Sequence, residues 1–165
     1  MPHISIRQAR LQDASAIAAI EAVCFPAAEA AGLKTIQERI AVFPANFFVA
    51  HAGGEIIGFI NGCVTDSPTI SDDLFENTGR HLACGPHQAV FGLDVLPAYR
   101  RQGIAARLLR HFIDAAQNAG RHTIILTCKQ QLVPYYERFG FVNNGVSQSV
   151  HGGAVWYDMT LPLTV

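Results

Sequence analysis

The stretch from Ala89 to Ala116 constrains this chain more than any other part of it. Ala89 to Leu96 is apolar except for Asp94, which marks a buried strand. Pro97 has no N–H to donate and closes the ladder there. Arg100, Arg101, Gln102 and Gly103 follow. Ile104, Leu108, Leu109, Phe112, Ile113 and Ala116 then fall at helical spacing, so one stripe of a helix faces a core. A strand that empties through a basic, glycine-containing turn into a helix N-terminus is a cradle for phosphate. The first N–H groups of the helix have no partner within it and carry the positive end of its dipole. Gly103 lets the backbone approach a ligand, and the arginines add charge.

The dinucleotide fingerprint needs three spaced glycines, and the Walker loop needs Gly-Lys-Ser/Thr; this turn has neither. The rest of the chain narrows the class further. Its 165 residues, 50% hydrophobic and 15% charged, predict one compact domain over 1–165. A net charge of -1 gives no broad footprint for nucleic acid or a membrane surface. No apolar run is long enough to span a bilayer, and Met1 to Arg10 lacks the basic-then-apolar layout of a leader. The four cysteines, Cys24, Cys63, Cys84 and Cys128, form no C-x-x-C pair. They read as free thiols in a reducing cytoplasm rather than as disulfides or a zinc site.

In chain order, Ile4 and Ile6 alternate with Ser5 and Arg7, which predicts a half-buried strand over His3 to Ala9. Asp13 is placed to cap a helix whose stripe is Ile17, Ile20 and Cys24, and Phe25-Pro26 stops it. Thr35 is placed to cap a second helix reaching Phe43. Phe47 to Ala50 and Glu55 to Val64 predict a hairpin around His51-Ala52-Gly53-Gly54. Asp66 to Pro86 predicts a long loop with one helical turn near Asp72 to Glu76, and long loops in compact domains are usually functional or mobile. After the central helix, Gly120 suits a C-cap. Thr123 to Thr127 predicts a second buried strand, parallel to the first. A short helix over Leu132 to Phe139 ends at Gly140. Strands over Phe141 to Val150 and Ala154 to Leu161 are joined by His151-Gly152-Gly153.

Arg100-Arg101-Gln102-Gly103-Ile104-Ala105 resembles the R/Q-x-x-G-x-G/A motif of the GNAT N-acetyltransferase superfamily, whose backbone amides hold the diphosphate of acetyl-CoA. Cys24-Phe25-Pro26-Ala27-Ala28-Glu29-Ala30-Ala31 is similar to the F-P-x-x-E-A-A segment of arylalkylamine N-acetyltransferases. Leu126-Thr127-Cys128-Lys129 resembles the end of a parallel strand in that family, and Leu132 to Phe141 resembles its V-P-F/Y-Y-E-R-F segment. Together these segments cover most of the chain in the expected order. The resemblance implies an α/β (α+β) GNAT fold, a central mixed six- to seven-stranded sheet flanked by about four helices. It implies acetyl-CoA as co-substrate and no metal. Leu93, Asp94 and Val95 would pair with the pantetheine arm as an added strand. Arg100, Arg101, Gln102, Gly103, Ile104, Ala105 and Ala106 would line the diphosphate. Phe25, Pro26, Glu29 and Thr127 would border the acceptor.

The resemblance also points to Tyr136 beside the cofactor sulfur, where a protonated phenol can donate to the departing thiolate. Tyr135 next to it should point into the core. The two histidines of the arylalkylamine family fall here on Ala89 and Phe91, so that base is not carried over. His87, His151 or a water chain to a carboxylate remain as bases, and Asp94 reads as structural or solvent-facing. No cysteine has a nucleophile's setting, so direct attack is expected. The expected partner is a small primary amine of arylalkylamine type, with the chain a monomer or homodimer. Alternatives are a polyamine, an amino acid, a protein N-terminus, or a non-catalytic acyl-CoA-binding module.

Overall fold

The structure, a computed structural model, describes residues 3–164. The expectation of a domain over 1–165 therefore extends beyond the described residues at Met1, Pro2 and Val165. The described chain forms two compact units. One takes the chain up to Gly62 and from Gly92 to Ile113; the other takes Cys63–Phe91 and the chain from Asp114 onward.

The first unit holds β1 (Ile4–Gln8), α1 (Ala14–Cys24), α2 (Leu33–Val42), β2 (Phe47–Ala52), β3 (Glu55–Asn61) and β6 (Gly92–Val95), with most of α4 (Ile104–Asn118). Its strands form one antiparallel sheet in the order β1-β2-β3-β6, which leaves β6 at an edge. The β2–β3 hairpin turns where expected, with Gly53 and Gly54 at φ 57° and 86°, angles that favour glycine. Gly58 lets β3 lie close under β6: a Cβ there would stand 2.7 Å from the Asp94 carbonyl oxygen. The edge-to-face contact of Phe48 with Phe112, 6.1 Å between ring centres, ties β2 to α4.

Two expected caps are not made. Asp13 precedes α1, but its carboxylate accepts from the Arg7 guanidinium at 2.7 Å and 3.0 Å and from the Arg10 N–H at 2.8 Å. A bidentate charged partner outcompetes a helix end for the same oxygens. The second helix begins at Leu33 after Gly32, so Thr35 lies inside it rather than at its cap.

The second unit holds β4 (Val64–Thr65), α3 (Asp72–Glu76), β5 (His87–Val90), β7 (Thr123–Cys128), α5 (Val133–Glu137), β8 (Val142–Val146) and β9 (Tyr157–Pro162). Its sheet has the order β4-β5-β7-β9-β8. β5 and β7 are parallel with His87 opposite Thr123 and Val90 opposite Leu126, as the crossover pattern predicts. Gly120, at φ 81°, closes α4, with the Arg121 N–H reaching the Ala116 carbonyl at 3.0 Å. The helical turn expected inside the long loop is α3.

The mixed α/β architecture is as expected, with five α-helices, but the sheet is not one piece. The described residues form nine strands in two sheets, one of four and one of five. The apolar run from Ala89 to Leu96 supplies a strand to each: β5 pairs with β4 and β7, β6 pairs with β3, and the ladder breaks at Phe91. The last strands are also shorter than expected, with a 3-10 turn at His151–Gly153 between them.

Candidate active site

After β6 the chain makes a 3-10 turn at Pro97–Tyr99 and enters α4 through Arg100 to Gly103. Arg101 at φ 63° and Gly103 at φ 77° are both left-handed, and among the described residues Arg101 is the one non-glycine with such a backbone. That conformation costs roughly 1–2 kcal/mol in an L-residue, and strain of this kind gathers at ligand clamps. Left-handed residues stand on either side of Gln102, the kind of turn in which successive N–H groups can gather as an anion nest. The nest opens on the N-terminus of a fifteen-residue helix. A side chain on Gly103 would meet no described atom within 4 Å, so glycine keeps the approach clear. The residue types and backbone therefore fit a diphosphate.

The side chain of Arg100, a residue also expected at the diphosphate, turns back toward β6. Its Nε donates to the Val95 carbonyl at 3.1 Å and an amino group to Cys24 Sγ at 3.5 Å. It holds the turn against the end of β6 and α1. Burial, and then the nearby Asp94, push the Cys24 thiol up, which keeps it protonated.

Asp94 is not solvent-facing. It is 2% exposed and stands against Glu21 of α1, itself 4% exposed. Burial, then the hydrogen bond and charge of Glu21, push its carboxyl up to about 10, against the opposing pull of Arg100 and Arg39. Glu21 Oε2 accepts the Ala31 N–H at 2.9 Å, which ties α1 to the loop that carries Phe25, Pro26 and Glu29. In that loop the Glu29 N–H donates to the Pro26 carbonyl at 2.9 Å. Glu29 is buried, Phe25 is half-buried and Pro26 is exposed.

In the second unit Tyr136 is buried near the start of α5, its ring 5.6 Å from that of Phe141. Tyr135 does not point away from it: the two rings meet edge to face at 5.3 Å. His87 and His151 lie at opposite ends of the sheet. His87 begins β5 and its ring bonds the Thr123 hydroxyl; burial holds the imidazole below its ordinary value. Thr127 is at the other end of β7, near Cys128, which pairs with Tyr157 just after the His151 turn. His151 lies in a row of rings, 4.5 Å from Phe75 and 6.2 Å from Trp156, and Phe75 lies 5.4 Å from Phe91. Asp72 of α3 accepts from the Ser149 hydroxyl and from the Val150 N–H at 3.3 Å, which ties the long loop to this turn. Among the described residues no group of three or more His, Cys, Asp or Glu could hold a metal, and no helix is long and apolar enough to cross a membrane.

A model of the acetyltransferase (GNAT) family matches residues 14–141. The chain belongs to that family. A rice (Oryza sativa subsp. japonica) protein named probable glucosamine 6-phosphate N-acetyltransferase 2 is 35% identical over 54 residues, 33% of this chain and 32% of that protein. The match thus spans about a third of that relative's length. Among solved structures, the loading GNATL domain of CurA from Lyngbya majuscula superposes with a TM-score of 0.83 at 15% identity, covering 97% of this chain and 98% of that one. The protein yncA of Salmonella typhimurium, solved with its cofactor acetyl-CoA, superposes with a TM-score of 0.70 at 18% identity, covering 98% and 94%. At those identities the likeness shows the GNAT fold.

In this GNAT chain the expected cofactor residues from Leu93 to Ala106 form one continuous run in the first unit, next to the Phe25–Glu29 loop. Reading the sequence missed Glu21 and Asn61. Glu21 follows Ile17 by one helical turn, so a carboxylate stood on the apolar stripe of α1 in plain view. The row of Phe75, Phe91, His151 and Trp156 had no local sequence signal.

Proposed function

We propose that this chain is an acetyl-CoA-dependent N-acetyltransferase that transfers acetyl to a small primary amine of arylalkylamine type by direct attack. The observation that carries the reading is the left-handed pair Arg101 and Gly103 at the N-terminus of α4, directly after an edge strand. Backbone N–H groups of Arg101 to Ala106 bind the diphosphate. The pantetheine arm adds to the open edge of β6 along Leu93, Asp94 and Val95. Arg100 positions the turn from behind.

Tyr136 gives its phenolic proton to the leaving sulfur, a role taken from the resemblance of its segment. Phe25, Pro26, Glu29 and Thr127 border the acceptor. Their mixture of apolar walls and few polar groups suits a small amine with an apolar body. Of the two histidines, His151 is at the Thr127 end of its sheet and His87 is not. The location is proposed to be cytoplasmic, in keeping with the free thiols.

The test has two arms. Calorimetry with coenzyme A should show binding that Gly103→Ala weakens. Release of free thiol from acetyl-CoA should be stimulated by phenethylamine and tryptamine more than by spermidine, amino acids or an N-terminal peptide. Binding without turnover on any amine would instead favour the acyl-CoA-binding module.

A further inference from the structure

Three fully buried polar atoms converge on the start of β6. A Cβ built on Gly92 would lie 3.3 Å from Asp94 Oδ1, 3.6 Å from Asn61 Nδ2 and 3.7 Å from Glu21 Oε1. Among the described residues no group other than the facing carboxyl partners the Asp94 and Glu21 oxygens, that contact needs a shared proton, and the Asn61 amide has no acceptor. Their residues are 2%, 0% and 4% exposed. Asn61 cannot be turned to relieve this, because its Oδ1 accepts from Arg39 at 3.2 Å, which leaves its N–H groups aimed over Gly92. A proton on Asp94 lets it donate to Glu21, but one carboxylic oxygen and the Asn61 amide still need a partner. One water meets that demand: it accepts from the amide and donates to the carboxylic oxygens, in the number of contacts a buried water makes.

We propose that Glu21 and Asp94, through a water they share with Asn61 over Gly92, take the proton that the acceptor ammonium must lose before it attacks the thioester. The inference rests on the acetyltransferase reading. If the diphosphate binds at the turn that follows β6 and the arm runs back along Val95 to Leu93, the acyl end arrives at Gly92. Gly92 and Asp94 share one face of β6, the face that α1 covers with Glu21. The histidine pair of the arylalkylamine N-acetyltransferases that this chain resembles falls here on Ala89 and Phe91, neither of which can accept a proton.

The ammonium passes one proton through the water to the Glu21 carboxylate. The freed nitrogen pair forms the N–C bond, and the C–S electrons leave with sulfur, which takes the Tyr136 phenolic proton while the nitrogen's second proton restores the phenol. Glu21 then returns its proton to solvent. The groups that face the pair are Cys24 of α1, Arg39 of α2 and Arg100 of the turn. The two guanidiniums oppose the rise of the Asp94 carboxyl.

The experiment compares wild type, Gly92→Ala, Glu21→Gln and His151→Ala at neutral pH. The acceptors are phenethylamine, which is almost wholly protonated there, and methoxyamine, which is not. Gly92→Ala puts a methyl group against all three atoms, which crowds out a bridging water and changes no charge. Glu21→Gln keeps an oxygen for the Ala31 N–H. Both should slow phenethylamine acetylation on the order of a hundredfold, the usual worth of a positioned base. Both should change the methoxyamine rate less than about threefold and leave coenzyme A binding by calorimetry intact. An infrared carbonyl band of a protonated carboxyl at neutral pH, lost in Asp94→Asn, is expected independently of turnover.

Equal losses on both amines would make the pair structural and overturn the proposal. So would an unaffected phenethylamine rate, or a loss carried by His151→Ala alone. Wild type that binds coenzyme A and acetylates neither amine would sink the enzyme reading itself; active wild type with indifferent variants sinks only this inference.

Discussion

Asp94→Asn isolates the cost of holding a carboxyl in the core beside Glu21. The native carboxyl titrates at about 10 because burial and then Glu21 oppose its charge, whereas the unfolded chain releases that proton near 3.8. Between those limits the unfolded state binds one proton fewer than the native state. Stability therefore falls as pH rises, by about 1.4 kcal/mol per pH unit for one proton. The contribution is complete below pH 4 and is lost progressively toward pH 10. Asparagine keeps the shape and a donor toward Glu21 but has no proton to lose.

From pH 4 to pH 7 the variant should therefore gain on wild type by about 4 kcal/mol. In a chain of this size that is a relative shift in melting temperature of roughly 10 °C. Urea melts of both proteins at half-unit pH steps provide the assay, with the difference between them as the observable so that other titrating groups cancel. A difference that stays flat across that range would refute the claim that Asp94 is protonated in the native protein. A difference that grows with the opposite sign would mean that the carboxyl is native as the anion, held by Arg39 and Arg100.

Four further outcomes are expected. Gly103→Ala should weaken coenzyme A binding at least about tenfold by calorimetry, while its left-handed alanine lowers stability by only about 1 kcal/mol. Tyr136→Phe should leave coenzyme A binding in place and lower kcat by a factor on the order of 10 to 100, with the pH profile of kcat changed on its alkaline side. Gly58→Ala should destabilise by roughly 1–3 kcal/mol in urea, because its methyl would meet the Asp94 carbonyl at 2.7 Å. Asp13 is the opposite case to Asp94: its hydrogen bonds with Arg7 hold the carboxyl below its ordinary range. Its contribution is present above about pH 4 and lost as pH falls, so in urea melts Asp13→Asn should destabilise the protein clearly at pH 7 and much less at pH 2.

Local patterns carried much of the fold and the cofactor turn. Pro97, Gly103 and the stripe from Ile104 to Ala116 each act within a few residues, so strand end, turn and helix could be read from the chain. The break at Phe91 could not, because an apolar run looks the same whether it serves one sheet or two. Only Gly92 hinted at it. Asp13 was a cap by position but had a stronger partner in Arg7, which lies on another element. As sequence, His87 and His151 are equivalent candidates. They separate only through strand register, which places one opposite Thr123 and the other beyond Cys128. The convergence of Glu21, Asn61 and Asp94 on Gly92 joins three elements, and no spacing rule reaches that far.

The backbone at Arg101 has one more consequence. Its awkward geometry is set when the protein folds, so the donors of the loop stand ready before a ligand arrives. Association should then leave the loop's mobility almost unchanged and carry little ordering penalty. A flexible replacement such as Arg101→Gly would move that penalty from folding to binding. It would give a sturdier protein with a slacker grip, although the bound complex had lost no contact from its main chain.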